Sequence, residues 1–185
     1  VICPYGYRKS ADGRMEPDEE VSEIVRQIFE WAADGNTAAE ITRKLYAMKI
    51  PTPGEYRRNK GKDHYNVSRT HGVWNSSTVL RMLADQRYIG TYVIGKRKVQ
   101  EIGSRRMKLK DESEWFKIPD HHQAIVSKEL FEKANASIKR FSLPNKKRRD
   151  YLLRGKVFCG CCDHAMSLRN DVWFYCRHSE VAENL

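Results

Sequence analysis

Apolar positions recur at helical spacing most clearly between Glu16 and Ala33, where Val21, Ile24, Val25, Ile28, Phe29, Trp31 and Ala32 make one continuous stripe. Pro17 suits a first helical turn, and the acidic run Asp18, Glu19 and Glu20 suits the positive end of a helix dipole. Gly35 suits the residue just past the helix end. This stripe reads as core. A narrower stripe of Ala38, Ile41, Leu45 and Met48 follows, on a helix that opens at Gly35-Asn36-Thr37 and is ended by Pro51 and Pro53. A third stripe lies within residues 74–90. There Asn75 or Ser76 can cap a helix whose Val79, Leu80, Met82 and Leu83 fall on one side while Ser77, Thr78, Arg81 and Asp85 gather on the other.

The pattern then changes period. Residues 91–99, T-Y-V-I-G-K-R-K-V, read as a strand, and residues 114–119, E-W-F-K-I-P, as its partner. A further capped helix starts near Ser127, with Leu130, Phe131, Ala134 and Ile138 facing inward. At the other end, residues 3–14 form a turn-rich arm bent at Gly6 and at Asp12-Gly13. Tyr5 and Tyr7 in that arm read as packing residues, and the adjacent His121 and His122 as turn or surface residues. The whole is an α+β chain, mainly helical, with a small β-sheet.

The second and third stripes form a helix-turn-helix-like pair, in which the second helix enters the DNA major groove. The polar face carries Asn75, Ser76, Ser77, Thr78 and Arg81, and Arg81 is the residue expected to read a base edge. Two ordinary amphipathic helices of a small α domain would show the same stripes. The connection over residues 51–73 is long and basic, with Arg57, Arg58 and Arg69, so it either contacts phosphate or stays mobile. Residues 100–114 form a polar hairpin tip. There Arg105, Arg106, Lys108 and Lys110, with Lys96, Arg97 and Lys98 before them, either grip a phosphate backbone or are merely solvated. Both segments are expected to be the most mobile parts of the unbound chain.

Charge sharpens this picture. The 185 residues carry 34 Lys and Arg against 24 Asp and Glu, a net charge of +10. The distribution is uneven: residues 12–30 hold two basic and seven acidic side chains, residues 96–110 seven basic and one acidic, and residues 139–156 eight basic and one acidic. Such segregation fits oriented binding to a polyanion with salt-dependent affinity. No segment approaches the roughly 20 apolar residues of a transmembrane helix, and the first residues do not resemble a signal peptide, so a cytoplasmic protein without membrane contact is expected. The absence of an initiator Met suggests a fragment.

Residues 142–150, S-L-P-N-K-K-R-R-D, read as a linker whose Lys146, Lys147, Arg148 and Arg149 are further phosphate contacts. Beyond it, four of the five cysteines fall within residues 159–176. In a reducing compartment such clustering favours a metal over a disulfide framework. Cys159 and Cys162 have the C-x-x-C spacing that lets two thiolates meet one tetrahedral zinc ion, and Cys176 can supply a third. Cys161 would point away. His178 or His164 remain for the fourth position.

These motifs stand in one order: P-Y-G-Y near the start, E-I-V-R-Q-I-F-E-W, N-T-A-A-E-I-T-R-K-L with I-P-T-P, W-N-S-S-T-V-L-R-M-L, Y-I-G-T-Y, and L-L-R-G-K-V-F-C-G-C-C. In this they resemble the DNA-binding C-terminal part of large serine recombinases, the group of phage serine integrases and mobile-element resolvases. The resemblance covers almost the whole chain. It implies a recombinase domain over residues 1–140, a basic linker over 141–150, and the start of a zinc ribbon over 151–185. It also implies double-stranded DNA as partner, at the attachment sites where such enzymes integrate, excise or invert mobile DNA, and a dimer or tetramer in the full-length protein. The catalytic serine of the family would lie upstream, since Ser10, Ser22 and Ser68 lack the arginine setting of phosphoryl transfer; the fragment itself is expected to be non-catalytic. Two departures stand out. Asp163 replaces the glycine common after C-x-x-C, and the fourth cysteine would lie beyond Leu185, so zinc is expected to bind weakly here and tightly in a longer chain. The competing reading is a transcription regulator with a helix-turn-helix and a zinc module; an RNA-binding zinc protein is disfavoured by the absence of RNP or KH signatures.

Overall fold

A computed structural model describes residues 3–61, 73–100, 103, 106–140, 151–169 and 172–181. Its elements in chain order are β1 (Tyr7–Lys9), β2 (Met15–Pro17), α1 (Ser22–Ala33), α2 (Ala38–Ala47), α3 (Pro53–Asn59), α4 (Ser76–Leu83), β3 (Tyr92–Ile94), β4 (Arg97–Val99), β5 (Met107–Leu109), β6 (Phe116–Ile118), α5 (Lys128–Arg140), β7 (Ser167–Arg169) and β8 (Trp173–Tyr175). The strands pair only as antiparallel two-stranded ribbons: β1 with β2, β3 with β6, β4 with β5, β7 with β8. Two compact units emerge, one from residues 1–33 and 83–136, the other from 34–82 and 137–185. Compactness thus groups the chain differently from the order 1–140, 141–150, 151–185. Among the described residues no helix is long and apolar enough to cross a membrane.

In the first unit, the arm becomes the β1–β2 hairpin, with Tyr7 opposite Pro17 and Lys9 opposite Met15. The helix expected from Glu16 begins six residues later, at Ser22. Glu16 and Pro17 belong to β2 instead, because Pro17 at the end of a two-stranded ribbon costs no ladder hydrogen bond on its open edge. From α1, Val25, Ile28, Phe29 and Ala32 are fully buried, as the stripe requires. Burial of each of the three larger side chains is worth about 1.5–3 kcal/mol over leaving it exposed. Gly6 is needed beneath them: at φ +93° its backbone is left-handed, and a Cβ there would lie 2.6 Å from Val25 Cγ2.

The centre of this unit is a 3-10 turn at Gln86–Ile89, which Asp85 caps through its side chain. Tyr88 in that turn is buried. Its hydroxyl donates to Tyr5 O at 2.8 Å, its ring meets Phe29 edge to face at 5.6 Å, and its carbonyl accepts the N–H groups of Ile125 and Val126, both at 3.1 Å. Tyr5 and Tyr7 are both buried, in line with a packing role. The expected pairing of residues 91–99 with 114–119 is present as β3–β6, with Tyr92 opposite Ile118 and Ile94 opposite Phe116. Ser127 caps α5 by accepting the Leu130 N–H at 3.2 Å, and Ala134 is fully buried. His121 is exposed, while His122 is half-buried with Nε2 2.7 Å from Arg87 O.

In the second unit, α2 and α3 both open with capping boxes, Thr37 with Glu40 and Thr52 with Glu55. The second box places a helix at the start of the basic connection expected over residues 51–73, of which 62–72 lie outside the described residues. Pro53 stands at the first position of α3, where a missing N–H costs nothing, so it starts a helix as well as following one. Ile41, Leu45 and Val79 are fully buried, Val73 and Trp74 nearly so, and Trp74 Nε1 donates to Ile50 O at 3.0 Å.

Two outcomes follow from the Tyr88 turn. Gly90 sits at φ +80° with a virtual Cβ 2.8 Å from His122 O, so Gly90→Ala should cost about 2 kcal/mol or more in urea unfolding. Burial also pushes the His122 imidazole below its usual range, which disfavours the imidazolium in the folded chain. The unfolded chain therefore binds the extra proton, and stability present above about pH 6.5 is lost as pH falls below it. Thermal melts from pH 7 to 5 should fall less steeply for His122→Gln than for the parent; equal slopes would exclude the effect.

Candidate nucleic-acid interface and thiolate cluster

Helix α4 presents the outer face on which the sequence reading rests. Asn75 caps it: its carbonyl accepts the Thr78 N–H at 2.8 Å and its Oδ1 the Ser77 N–H, also at 2.8 Å. Val79, Met82 and Leu83 are buried, leaving Ser77, Leu80 and Arg81 exposed at i, i+3 and i+4. Ser76 and Thr78 are half-buried. Two expectations need correction. Leu80 is 42% exposed, not core, because Val79, Met82 and Leu83 already fill the inward side of so short a helix. Asp85 does not join the polar face: α4 ends at Leu83, and the Asp85 carboxylate turns to the Arg87 N–H and guanidinium. Arg81 lies back along its own helix, Nε donating to Ser77 O at 3.1 Å. Both α3 and residues 62–72 intervene between α2 and α4, so the pair is not joined by a tight turn.

The other basic candidates fall in several places. Arg57, half-buried, and Arg58, exposed, occupy the last turn of α3, where cations complement the helix dipole. Arg97 and Lys98 are exposed on β4, and Arg106 is exposed just before β5. Lys96 lies with Nζ 4.9 Å from the centroid of the Trp115 ring. Arg69, Arg105, Lys146, Lys147, Arg148 and Arg149 lie outside the described residues.

In the cysteine segment, β7 and β8 form a hairpin with Leu168 opposite Phe174. Before it, a knuckle closes through Asp163 N–H to Cys159 O and Cys159 N–H to His164 O, both 2.9 Å. This brings the sulfurs of Cys159, Cys162 and Cys176 within 4.8 Å of one another. Tetrahedral zinc with bonds of about 2.3 Å holds its sulfurs roughly 3.8 Å apart, so the three positions fit a metal with little movement. Cys162 and Cys176 are buried, while Cys161 is exposed as expected. Amide N–H groups of Cys161 and Cys162 hold the Cys159 thiol down at about 7, whereas burial pushes the Cys162 thiol up to about 11. Cys159 thus gives up its proton readily, whereas Cys162 keeps its proton unless a cation takes its place. Among the described residues no fourth side chain completes the cluster. His164 and His178 instead stack on each other at 4.3 Å.

A family model for the recombinase domain matches residues 19–141, well over half of the chain. The chain belongs to the recombinase family. Its recombinase domain is that of the C-terminal region of large serine recombinases, the family expected from the motif order. It is also similar to the uncharacterized protein y4bA/y4pH of Sinorhizobium fredii (strain NBRC 101917 / NGR234), 28% identical over 184 residues, covering 88% of this chain. The chain spans 25% of that protein's length. A solved structure described as an LSR–DNA complex is similar at a TM-score of 0.47 and 13% identity, covering 75% of this chain and 31% of its own.

The thiolate geometry sets an expectation for metal analysis. With three sulfurs and no fourth ligand among the described residues, the 185-residue chain should take up zinc but lose it readily to EDTA. Cys162→Ser or Cys176→Ser should abolish uptake, and Cys161→Ser should leave it unchanged. Zinc that resists chelation in the parent chain would show that a fourth ligand completes the site.

Proposed function

We propose that this chain is the DNA-binding region of a large serine recombinase, holding duplex DNA at recombination sites for a catalytic domain located elsewhere in the full-length protein. Family membership supports the assignment to a recombinase. The observation that carries the role of this region is the exposed Ser77–Arg81 face of α4, set over a buried Val79, Met82 and Leu83. A short helix anchored on one side, with small hydroxyls and a guanidinium on the other, has the dimensions and donors of a major-groove reader. In this reading residues 1–140 form the recombinase domain, and the segment from residue 151 opens a zinc ribbon. Cys159, Cys162 and Cys176 would hold the metal, whose chemistry there is structural, tying the knuckle to the β7–β8 hairpin. The basic residues of α3, β4 and the 142–150 segment neutralise phosphates, and copies of the full-length protein assemble as dimers or tetramers on their sites.

The experiment is direct binding of the 185-residue chain to duplex DNA, first to the ends of the mobile element that encodes it and then to random sequence. Affinity should fall steeply with salt. Arg81→Ala should cost about 1–3 kcal/mol on the cognate duplex and little on random duplex. Equal weakening on both would make Arg81 a phosphate contact, and salt-independent affinity would remove DNA binding from the reading.

A further inference from the structure

The β4–β5 ribbon has two chemically distinct faces, and neither strand has a buried residue. Cross-strand partners share a face of an antiparallel ribbon. Arg97 stands opposite Leu109 and Val99 opposite Met107, which places these four on one side; Lys98 stands opposite Lys108 on the other. The pairing continues at both ends, through Lys110 N–H to Lys96 O at 2.9 Å and Gln100 N–H to Arg106 O at 3.0 Å. The second face is therefore a row of cations. At its root that face turns onto the neighbouring chain: Lys96 Nζ lies over Trp115, and Lys110 Nζ is 3.9 Å from Glu114 Oε1. The first face looks away, with Val99, Met107 and Leu109 exposed by 50%, 54% and 59%. An outward apolar face with one arginine, backed by a row of cations, suits an occupant that is anionic at its rims and partly apolar on its floor.

We propose that this ribbon is a second base-reading element, entering the major groove of duplex DNA with the Arg97, Val99, Met107 and Leu109 face on the base edges. The proposal rests on the DNA-binding role argued above and deepens it. Two strands about 4.8 Å apart fit a groove about 12 Å wide and are too broad for a minor groove of about 6 Å. On the groove floor, Arg97 donates to guanine O6 and N7, and the three apolar side chains pack on thymine methyls. Lys98 and Lys108, on the far side of the ribbon, reach outward to the phosphates of the groove walls and release counterions. Charge complementarity selects DNA over a protein partner, since residues 96–110 carry seven basic side chains and one acidic.

The test starts with selection of duplexes from a randomised 40-base-pair pool by the 185-residue chain, followed by affinity measurements on the selected duplex. Arg97→Ala should bind it roughly ten- to a hundredfold more weakly. The same loss should follow from 7-deazaguanine at one position, and the two losses should not add. Uracil in place of thymine should weaken the parent but not the Val99→Ser, Met107→Ser, Leu109→Ser triple variant, whose circular dichroism should match the parent because all three positions are exposed. Lys98→Gln with Lys108→Gln should weaken selected and random duplexes alike and lower the salt slope by about 2. An Arg97→Ala chain that binds the selected duplex like the parent, or indifference of the parent to uracil, overturns the inference while leaving the wider DNA-binding role intact. A parent chain that binds no duplex overturns both.

Discussion

Tyr88 holds together three distant stretches of the first unit. Its ring fills the space beside Phe29, its hydroxyl ends on Tyr5 O, and its carbonyl receives two amides from residues 125 and 126. Three stretches of chain distant in sequence are thereby fixed to one 3-10 turn. A buried carbonyl that accepts two N–H groups and a buried hydroxyl with a carbonyl partner leave little unpaired polarity, so the large aromatic can be buried at no polar cost. The turn must then be held in shape. Asp85 fixes its start, and Gly90 leaves it through a left-handed conformation in which His122 O lies too close for any side chain.

Short elements make such fixing necessary. Helices of seven to thirteen residues are marginal alone, and here α2 and α3 open with capping boxes while α1, α2 and α4 each bury one stripe. The stripe in turn decides what is left outside. In α4, three inward residues exhaust the available core, so Leu80 is displaced to the surface beside Ser77 and Arg81. The exposed face is therefore not purely polar. In the proposed DNA-binding role, Leu80 adds an apolar contact of the kind a thymine methyl takes to the polar contacts of Ser77 and Arg81.

Most of the fold's frame was legible from periodicity and caps. The α1 stripe, the β3–β6 pairing across an intervening hairpin, the Ser127 cap and the packing of Tyr5 and Tyr7 all follow from signals local enough to survive without a structure. Two of the misreadings concern proline. Pro17 reads from the sequence as a helix start and Pro53 as a helix end, yet proline's fixed φ and missing N–H suit a ribbon edge and a first helical turn equally well. Only the partner settles which: Tyr7 across from Pro17, and Glu55 three residues after Thr52. The T-P-G-E box was visible in the sequence and would have given α3. Asp85 could not have been placed, because helical phase means nothing past the residue where the helix stops. For the candidate site, C-x-x-C spacing revealed two sulfurs and suggested the third. The two-faced character of β4–β5 depended on register, which a one-residue slip would have inverted.

Asp163 shows how a departure from a family pattern can be absorbed. It follows Cys162 at φ +48°, in the left-handed region that a glycine would enter freely. Aspartate is among the few other residues that tolerate this region, because its short carboxylate can hydrogen-bond locally. The knuckle bonds are intact around it, Asp163 N–H to Cys159 O and Cys159 N–H to His164 O. The tight turn that aims Cys159 and Cys162 at one point therefore survives the substitution, at the cost of some backbone strain. That strain must be sustained by whatever else holds the knuckle closed. Within this segment the knuckle bonds, the short β7–β8 hairpin, the Tyr151–Phe174 and His164–His178 ring contacts and the 3.4 Å approach of Cys162 Sγ to Cys176 Sγ all act to hold it. A cation shared by the three thiolates would add to these contacts, tying the knuckle to the β7–β8 hairpin through Cys176.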